Sequence, residues 1–367
     1  MQRKPRAVVA MSGGVDSSVA AALLVKEGYD VTGIMLKLWR GEEINNASGC
    51  CNLGAADDAR RVADVLRIPF YVLNFADRFA DSVVRNFKED YSSGRTPNPC
   101  VRCNQWIKFD ALFDKARALG ADVLATGHYA RIRTRGGRFS LFRGVDARKD
   151  QSYVLWMLSQ EQLRHCRFPV GDMSKLETRQ LAAELGLRTA AKPDSQEICF
   201  VRDGDFDAYV TEQLADVSEP GPILTTSGEV VGRHRGIGRY TVGQRKGLGV
   251  SLGVPVFVRS VDATANAIVV GGRDELEVGG FVADEACFTS GDSPRDGASV
   301  LVQHRAHGEV NPATICSIHR GCFEIHYDQP VSAIAPGQSA TLYSAQDPDE
   351  VLGGGIIAST VPVAAGV

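Results

Sequence analysis

Ser12-Gly13-Gly14-Val15-Asp16-Ser17-Ser18, the pair Cys100 and Cys103, and Cys199 are the residues of this chain whose types and spacing could do chemistry. In the first stretch, two adjacent glycines let backbone amides close on an anion. The serine hydroxyls supply further donors, and a following helix adds the positive end of its dipole. That is a cradle for phosphate. It lacks the Gly-Lys-Ser/Thr ending of a Walker loop and the three spaced glycines of a dinucleotide fingerprint. The plainer reading is a strand-to-helix turn with a serine cap. The cysteines follow polar loops: Thr96-Pro97-Asn98-Pro99 leads into Cys100-Val101-Arg102-Cys103, and Lys192-Pro193-Asp194-Ser195-Gln196-Glu197-Ile198 leads into Cys199-Phe200. Such thiols suit catalysis or metal binding, whereas a lone cysteine is more often a buried small hydrophobe.

These groups need elements to hold them. Ala7-Val8-Val9-Ala10-Met11 reads as a buried strand and Val19 to Val25 as a helix, which puts the Ser-Gly-Gly turn at the first strand–helix junction. Val31 to Leu38 and Phe70 to Phe75 read as further strands, Ala55 to Leu66 and Ile107 to Leu119 as helices, and Asp122 to Thr126 as a short apolar strand. The alternation predicts a parallel sheet covered on both faces. Ligands in such sheets bind at the carboxyl ends of strands, where the turn and Gly127-His128-Tyr129 both fall. His128 alone reads equally well as a satisfied core histidine. Leu176 to Leu187 is the last clear helix of this half, and Ser218 to Pro222 reads as a linker. Gly232 to Gly253 is rich in glycine and cations. From Val254 onward, short runs (Val254–Val261, Ala267–Val270, Ser299–Val302, Thr314–Ser317, Phe323–Tyr327, Ser339–Tyr343) predict a β-rich module or small barrel. The tail, Thr360 to Val367, reads as frayed. Domains are expected over residues 1–212, 213–278 and 279–367.

The size, 367 residues, fits two or three domains, and 44% hydrophobic residues suffice for sizeable cores. A net charge of −3 gives no global pull toward nucleic acid or anionic membranes, so any RNA contact must come from local patches. No apolar run reaches membrane-spanning length and Met1 to Pro5 has no apolar signal core, so a cytoplasmic protein is expected. Nine cysteines in such a chain point to catalysis, metal or buried thiols rather than a disulfide framework.

The Ser-Gly-Gly-x-Asp-Ser string resembles the PP-loop of ATP pyrophosphatases. With it occur Gly94-Arg95-Thr96-Pro97-Asn98-Pro99, Cys103-Asn104, Thr126-Gly127-His128-Tyr129, Lys149-Asp150-Gln151-Ser152-Tyr153, Ser195 to Phe200, and Tyr240 to Leu248. Together and in this order they resemble the tRNA-specific 2-thiouridylase family. The resemblance implies an α/β N-terminal PP-loop domain with a parallel sheet, a small central domain and a C-terminal β-barrel-like domain. It implies ATP-dependent 2-thiolation of the wobble uridine of tRNA, with ATP and Mg2+. Ala10, Met11, Ser12, Gly13, Gly14, Val15, Asp16 and Ser17 would hold the nucleotide, with Leu36 and Gly127 at its base and ribose. Asn98, Pro99 and Cys100 would meet the target uridine. Lys149, Asp150 and Gln151 would contact the tRNA, as would Arg305 and Ala306. Cys103 matches the nucleophile and Cys199 the persulfide carrier, with a transient disulfide between them. Expected partners are tRNAs for Lys, Glu and Gln and a sulfur donor, either a cysteine desulfurase or a persulfide relay protein; a monomer is expected.

Chemistry supports this separately. Replacing a carbonyl oxygen by sulfur needs the oxygen made into a leaving group, which adenylation does, and a sulfur nucleophile, which a persulfide supplies. Two routes stay open: Cys103 releases hydrosulfide from the Cys199 persulfide, or it attacks a persulfide-linked intermediate. Many family members carry aspartate where Cys100 stands, and a thiol cannot act as that carboxylate. Cys50, Cys51, Cys100 and Cys103 could also hold zinc or an iron–sulfur cluster. Cys166, Cys287, Cys316 and Cys322 read mostly as core. Cations crowd three stretches: Arg131, Arg133, Arg135, Arg138, Arg143, Arg148 and Lys149; Arg233, His234, Arg235, Arg239, Arg245 and Lys246; His304, Arg305 and His307. The second is the favoured RNA patch; offset by nearby acids, such clusters are merely solvated faces. Tyr129 and Trp106 read as stacking partners or as core. A small-molecule PP-loop ligase or amidotransferase leaves the cysteines idle, and a non-catalytic RNA- or metal-binding module wastes the phosphate loop.

Overall fold

The computed structural model describes residues 3–39, 53–194, 198–201 and 205–363. Its first layer starts with β1 (Arg6–Ala10), α1 (Val15–Lys26), β2 (Asp30–Lys37), α2 (Leu53–Leu66) and β3 (Phe70–Asn74). Two long helices follow, α3 over 76–92 and α4 over 99–118, each carrying a stretch of wider π winding, Ala80–Val84 and Cys103–Leu112. Then come β4 (Val123–Ala125), a hairpin of β5 (Ala130–Arg135) and β6 (Arg138–Arg143), α5 (Gln160–His165), β7 (Cys166–Arg167) and α6 (Lys175–Glu184). Strands β3-β2-β1-β4-β7 form one sheet, every pairing parallel. On β1 the side-chain alternation divides the core. Ala7 and Val9 face Val19, Ala20, Leu24 and Val62, while Val8 faces Phe79, Phe87, Ile107, Phe109 and Leu112. Both faces are covered, as the sequence predicts.

After α7 (Phe206–Gln213), a four-stranded sheet of order β10-β11-β8-β9 forms from β8 (Gly221–Thr225), β9 (Val230–His234), β10 (Phe257–Asp262) and β11 (Ala267–Gly271). The runs at 254–261 and 267–270 therefore belong to this central sheet, not to the terminal barrel. That barrel comprises β12 (Glu277–Phe288), β13 (Ser299–Gln303), β14 (Val310–His319), β15 (Cys322–Ser332), β16 (Ser339–Ser344) and β17 (Glu350–Val361). It closes through β12 against β17, around Phe281, Val302, Ile315, Phe323, Ile325, Leu342 and Ile357. Thr360 and Val361 are strand residues paired with β12, so the tail is ordered at least that far.

The barrel is also joined to the first layer. β6 pairs with β17 at Phe142↔Glu350 and Leu141↔Val351, so the hairpin extends the barrel's sheet. Arg102, in α4, donates two 2.6 Å hydrogen bonds to Glu285 of β12. The Arg102 side chain is 6% exposed, and its guanidinium also meets Asn86, Gln105 and the Trp106 ring at 4.6 Å. Glu285 holds a positive φ of 55°.

Two substitutions test this scaffold. Glu285→Ala leaves Arg102 buried without its carboxylate and should destabilise the protein by about 2 kcal/mol, read as a Tm several degrees lower; an unchanged Tm removes the clamp. Gly127→Ala would put a Cβ 2.5 Å from the Ser17 amide nitrogen and 2.6 Å from the Asp16 carbonyl carbon, backbone atoms that cannot give way. It should cost about 1–3 kcal/mol by overpacking, and wild-type stability in urea would contradict the geometry.

Candidate active site

The turn after β1 is built from atoms that cannot be crowded. Gly13 has φ +72°, a conformation that glycine adopts freely, and a Cβ there would stand 2.2 Å from the Ala55 carbonyl oxygen. Gly14 caps α1 with extended backbone. Ser17 Oγ accepts from the Ser12 amide at 3.2 Å and donates to the Gly14 carbonyl at 3.1 Å; Ser18 Oγ donates to that carbonyl at 2.8 Å. The helix of twelve residues aims its first amides at this turn. Ser12 is exposed, so one hydroxyl of the set faces outward. Amides, hydroxyls and a helix N-terminus suit a phosphate chain. Leu36 lies buried at the carboxyl end of β2, and Gly127 lies after β4 against the first turn of α1.

Around the turn runs an ion network. Asp16 accepts two bonds from Lys175 Nζ, at 2.7 and 2.9 Å, and one from the Tyr129 hydroxyl at 2.8 Å. Lys175 also meets Asp194 at 2.8 Å, and Asp194 takes Lys149 at 2.7 Å and Arg179 at 3.0 Å. Burial alone would raise the Asp194 carboxyl, but the hydrogen bonds and charges of Lys149 and Lys175 outweigh it and hold it at about 2. Lys192 Nζ donates to the Gly13 carbonyl at 3.0 Å and to Asp58 at 2.7 Å. Lys175 was not foreseen as a site residue. Its signal is the capping box Ser174-x-x-Glu177, which starts α6 and sets Lys175 at the helix's first position. Tyr129 is buried, with its hydroxyl held by Asp16 and Thr178, so it is core and not a stacking platform.

The motif cysteines belong to the other face of the sheet. Asn98 caps α4, its Oδ1 accepting from the Val101 amide at 3.3 Å, and Pro99 takes the first helical position. Cys100 is exposed and Cys103 buried. Cys103 belongs to the apolar cluster on the Val8 face of the sheet, and Cys199 packs half-buried against the same cluster. Phe200 is fixed there by edge contacts with Phe87 (4.9 Å) and Phe79 (6.0 Å). The Thr96–Asn98 loop leans on the barrel. The Thr96 amide donates to the Pro336 carbonyl at 2.8 Å, and Gln338 Nε2 donates to the Thr96 carbonyl at 2.8 Å. Tyr153 donates to the Ser339 carbonyl at 2.9 Å and shares a hydrogen bond with Asn98, and the Arg305 charge acts on the same hydroxyl. Asn98 and Arg305, far apart in sequence, thus share a neighbour.

The remaining candidates divide. Lys149 is bonded to Asp194; Asp150 is a turn holder, accepting from Arg143, Ser152 and the Gly144 amide; Gln151, exposed, accepts from the Tyr129 amide at 3.0 Å. Arg305 and Ala306 are exposed, Arg305 donating to the Ala333 carbonyl at 2.5 Å. Arg131, Arg133, Arg135, Arg138 and Arg143 are each paired with a carboxylate, a solvated face rather than a cationic patch. Arg233, Arg245 and Lys246 are exposed and, among the described residues, face no carboxylate at bridging distance. His128 is buried with Nδ1 2.6 Å from Thr126 Oγ1, and burial holds its pKa well below the ordinary value, with the charge of Lys108 adding to this. Cys166 is core, whereas Cys316 is exposed. Among the described residues no group of three or more His, Cys, Asp or Glu could hold a metal, and Cys50 and Cys51 lie outside them. No described helix is long and apolar enough to cross a membrane.

Three family profiles match the chain end to end: a tRNA methyl transferase HUP domain over residues 5–203, a tRNA methyl transferase PRC-barrel domain over 208–272, and an aminomethyltransferase beta-barrel domain over 278–357. A relative from Moorella thermoacetica is 48% identical over 361 residues, spanning 97% of this chain and all of that one. Others from Symbiobacterium thermophilum (46%, 96% of this chain and 92% of that one) and Clostridium perfringens (45%, 97% and 99%) carry the same name, tRNA-specific 2-thiouridylase MnmA. Among solved structures, a 4-thiouridine synthetase–RNA complex with bound ATP is 18% identical over 58% of this chain and 51% of that one, with a TM-score of 0.37. With identity of 45–48% sustained across nearly its whole length, the chain belongs to the tRNA-specific 2-thiouridylase family.

Proposed function

We propose that this enzyme carries out ATP-dependent 2-thiolation of the wobble uridine of tRNA, position 34, with sulfur delivered from a persulfide on Cys199. Besides family membership, one observation supports the reading most. The segment leading to Cys199 is bonded to the phosphate turn, Lys192 to the Gly13 carbonyl and Asp194 through Lys175 to Asp16. A sulfur carrier and an adenylating turn have to be neighbours for the reaction to work. The matching profiles are described as methyl transferase domains, but a phosphate turn bonded to the segment that leads to a motif cysteine suits sulfur transfer after activation by ATP.

Residues 10–17 hold the phosphates of ATP, taken with Mg2+, and Leu36 and Gly127 line its base and ribose. Asn98, Pro99 and Cys100 receive the target uridine at the barrel-supported loop. Lys149, Gln151, Arg305 and Ala306 face the RNA backbone, Asp150 bracing the turn that presents the first two, and exposed Arg233, Arg245 and Lys246 extend that surface; binding should weaken with salt. The uridine O2 attacks the α-phosphate, pyrophosphate leaves, and C2 then bears AMP as leaving group. In one route the terminal sulfur of the Cys199 persulfide attacks C2 and AMP departs. The Cys103 thiolate then attacks the Cys199 sulfur and frees the thiouridine. In the other, Cys103 attacks first and releases hydrosulfide, which displaces AMP. Each route leaves one Cys103–Cys199 disulfide, which a thiol reductant must open before the next turnover. The donor is a cysteine desulfurase or a persulfide relay protein, the tRNAs are those for Lys, Glu and Gln, and the enzyme works in the cytoplasm as a monomer.

With ATP, tRNA and sulfide, the wild-type protein should retard tRNA in a mercury-containing gel; no shift where a known thiouridylase gives one sinks the reading. In single turnover with cysteine persulfide and no added thiol, Cys199→Ala should lose thiolation by at least 100-fold. It should keep it with sulfide, which needs no carrier. Cys100→Ser should stay within about threefold of wild type, since a thiol there cannot do the acid–base work of a carboxylate. A loss like that of Cys103→Ala would instead give Cys100 an essential role.

A further inference from the structure

Asp194 stands five positions before Cys199, and three cations from two elements converge on it: Lys149 from the loop after β6, and Lys175 and Arg179 from α6. Its side chain is 23% exposed and that of Lys175 12%. An isolated surface ion pair contributes little, but this carboxylate closes a chain of bonds ending in the phosphate turn, since Lys175 holds Asp16 with the same ammonium. Arg179 ties the approach to it, donating to the Ala190 carbonyl at 2.6 Å. On the far side of Cys199, Phe200 is wedged among Phe87, Phe79, Tyr209 and Trp39. Five residues span no more than about 18 Å even when fully extended. Cys199 therefore lies within that reach of a charged anchor on the nucleotide side, and an aromatic anchor follows it directly in the cluster that also holds Cys103.

We propose that Asp194 is a positioning residue for sulfur transfer: through Lys175 and Asp16 it keeps the Cys199 segment in register with the phosphate turn. The inference rests on the thiolation reading above. It assigns Asp194 no contact with substrate and no proton to move. Because its partners are cations, the charge matters as well as the shape, and an amide of equal size would hold Lys175, Lys149 and Arg179 only weakly. A carboxylate one methylene longer can still reach them.

The test is Asp194→Asn, with Asp194→Glu beside it. In the sulfide-driven assay, Asp194→Asn should lose no more than about threefold, the share due to a loosened Lys175 beside Asp16 and a freed Lys149. In single turnover from cysteine persulfide it should be slower by at least tenfold, and Asp194→Glu should recover most of that rate. Alkylation by iodoacetamide, followed by peptide mass spectrometry, should be several-fold faster at Cys199 in Asp194→Asn and unchanged at Cys103. Equal losses in both thiolation assays, an unaffected persulfide rate, or an unaltered alkylation rate at Cys199 would each overturn the proposal. If the wild type fails with sulfide, the thiolation reading fails, while the alkylation result still decides whether Asp194 holds the segment.

Discussion

Backbone pressed against backbone at the turn after β1 is the constraint on which this molecule depends. Gly13 lies against the Ala55 carbonyl and Gly127 against the Ser17 amide, each too near for a side-chain carbon. Those approaches draw α1, α2 and the end of β4 onto one point. The donors of the first helical turn then face the carboxyl edge of a parallel sheet. No charge comes from the glycines themselves. Cations must therefore be brought from elsewhere, and Lys175 and Lys192 arrive from the segment that closes the first layer.

That segment unites the two halves of the proposed chemistry. Its charged end is fastened to the turn and its aromatic end to the core beneath α3 and α4. Cys199, directly before the aromatic end, is half-buried, a compromise between protection and access. Cys103 follows Arg102 of the Arg102–Glu285 clamp directly, so its helix is registered against the barrel as well as against the sheet. Wider helical winding begins at Cys103 itself, and such local expansions recur at functional positions because they re-aim side chains without ending the helix.

Much of this is legible in the residues. The turn announces itself because glycine, serine and a strand–helix junction occur together locally, and the parallel sheet follows from alternating apolar runs. The hairpin at 130–143 escapes notice because its arginines hide its alternation; each is neutralised by an acid that only the folded chain brings near. The ion network escapes for the same reason. Tyr129 and Asp16 are 113 positions apart, and Lys192 and Gly13 are 179 apart. Helix α4 starts at Pro99 rather than near Ile107 because the capping side chain of Asn98 and a proline at the first position outweigh the weak apolar periodicity there. The family motifs mark Lys149 and Asp150 as conspicuous, but only their bonding shows that one is held by Asp194 and the other spans a turn.

Strand β17 carries an unusual share of the assembly. It lies along β16 and β12 in the barrel and reaches β6 of the first layer with its opening residues. Until it is in place, three strands present unsatisfied backbone at once, one of them made about two hundred residues earlier. A polypeptide still on the ribosome must shelter that early hairpin through most of its synthesis. A product lacking β17 would expose adhesive edges in two domains together, which makes the addition of that strand the step at which this protein is most open to aggregation and to proteolytic disposal.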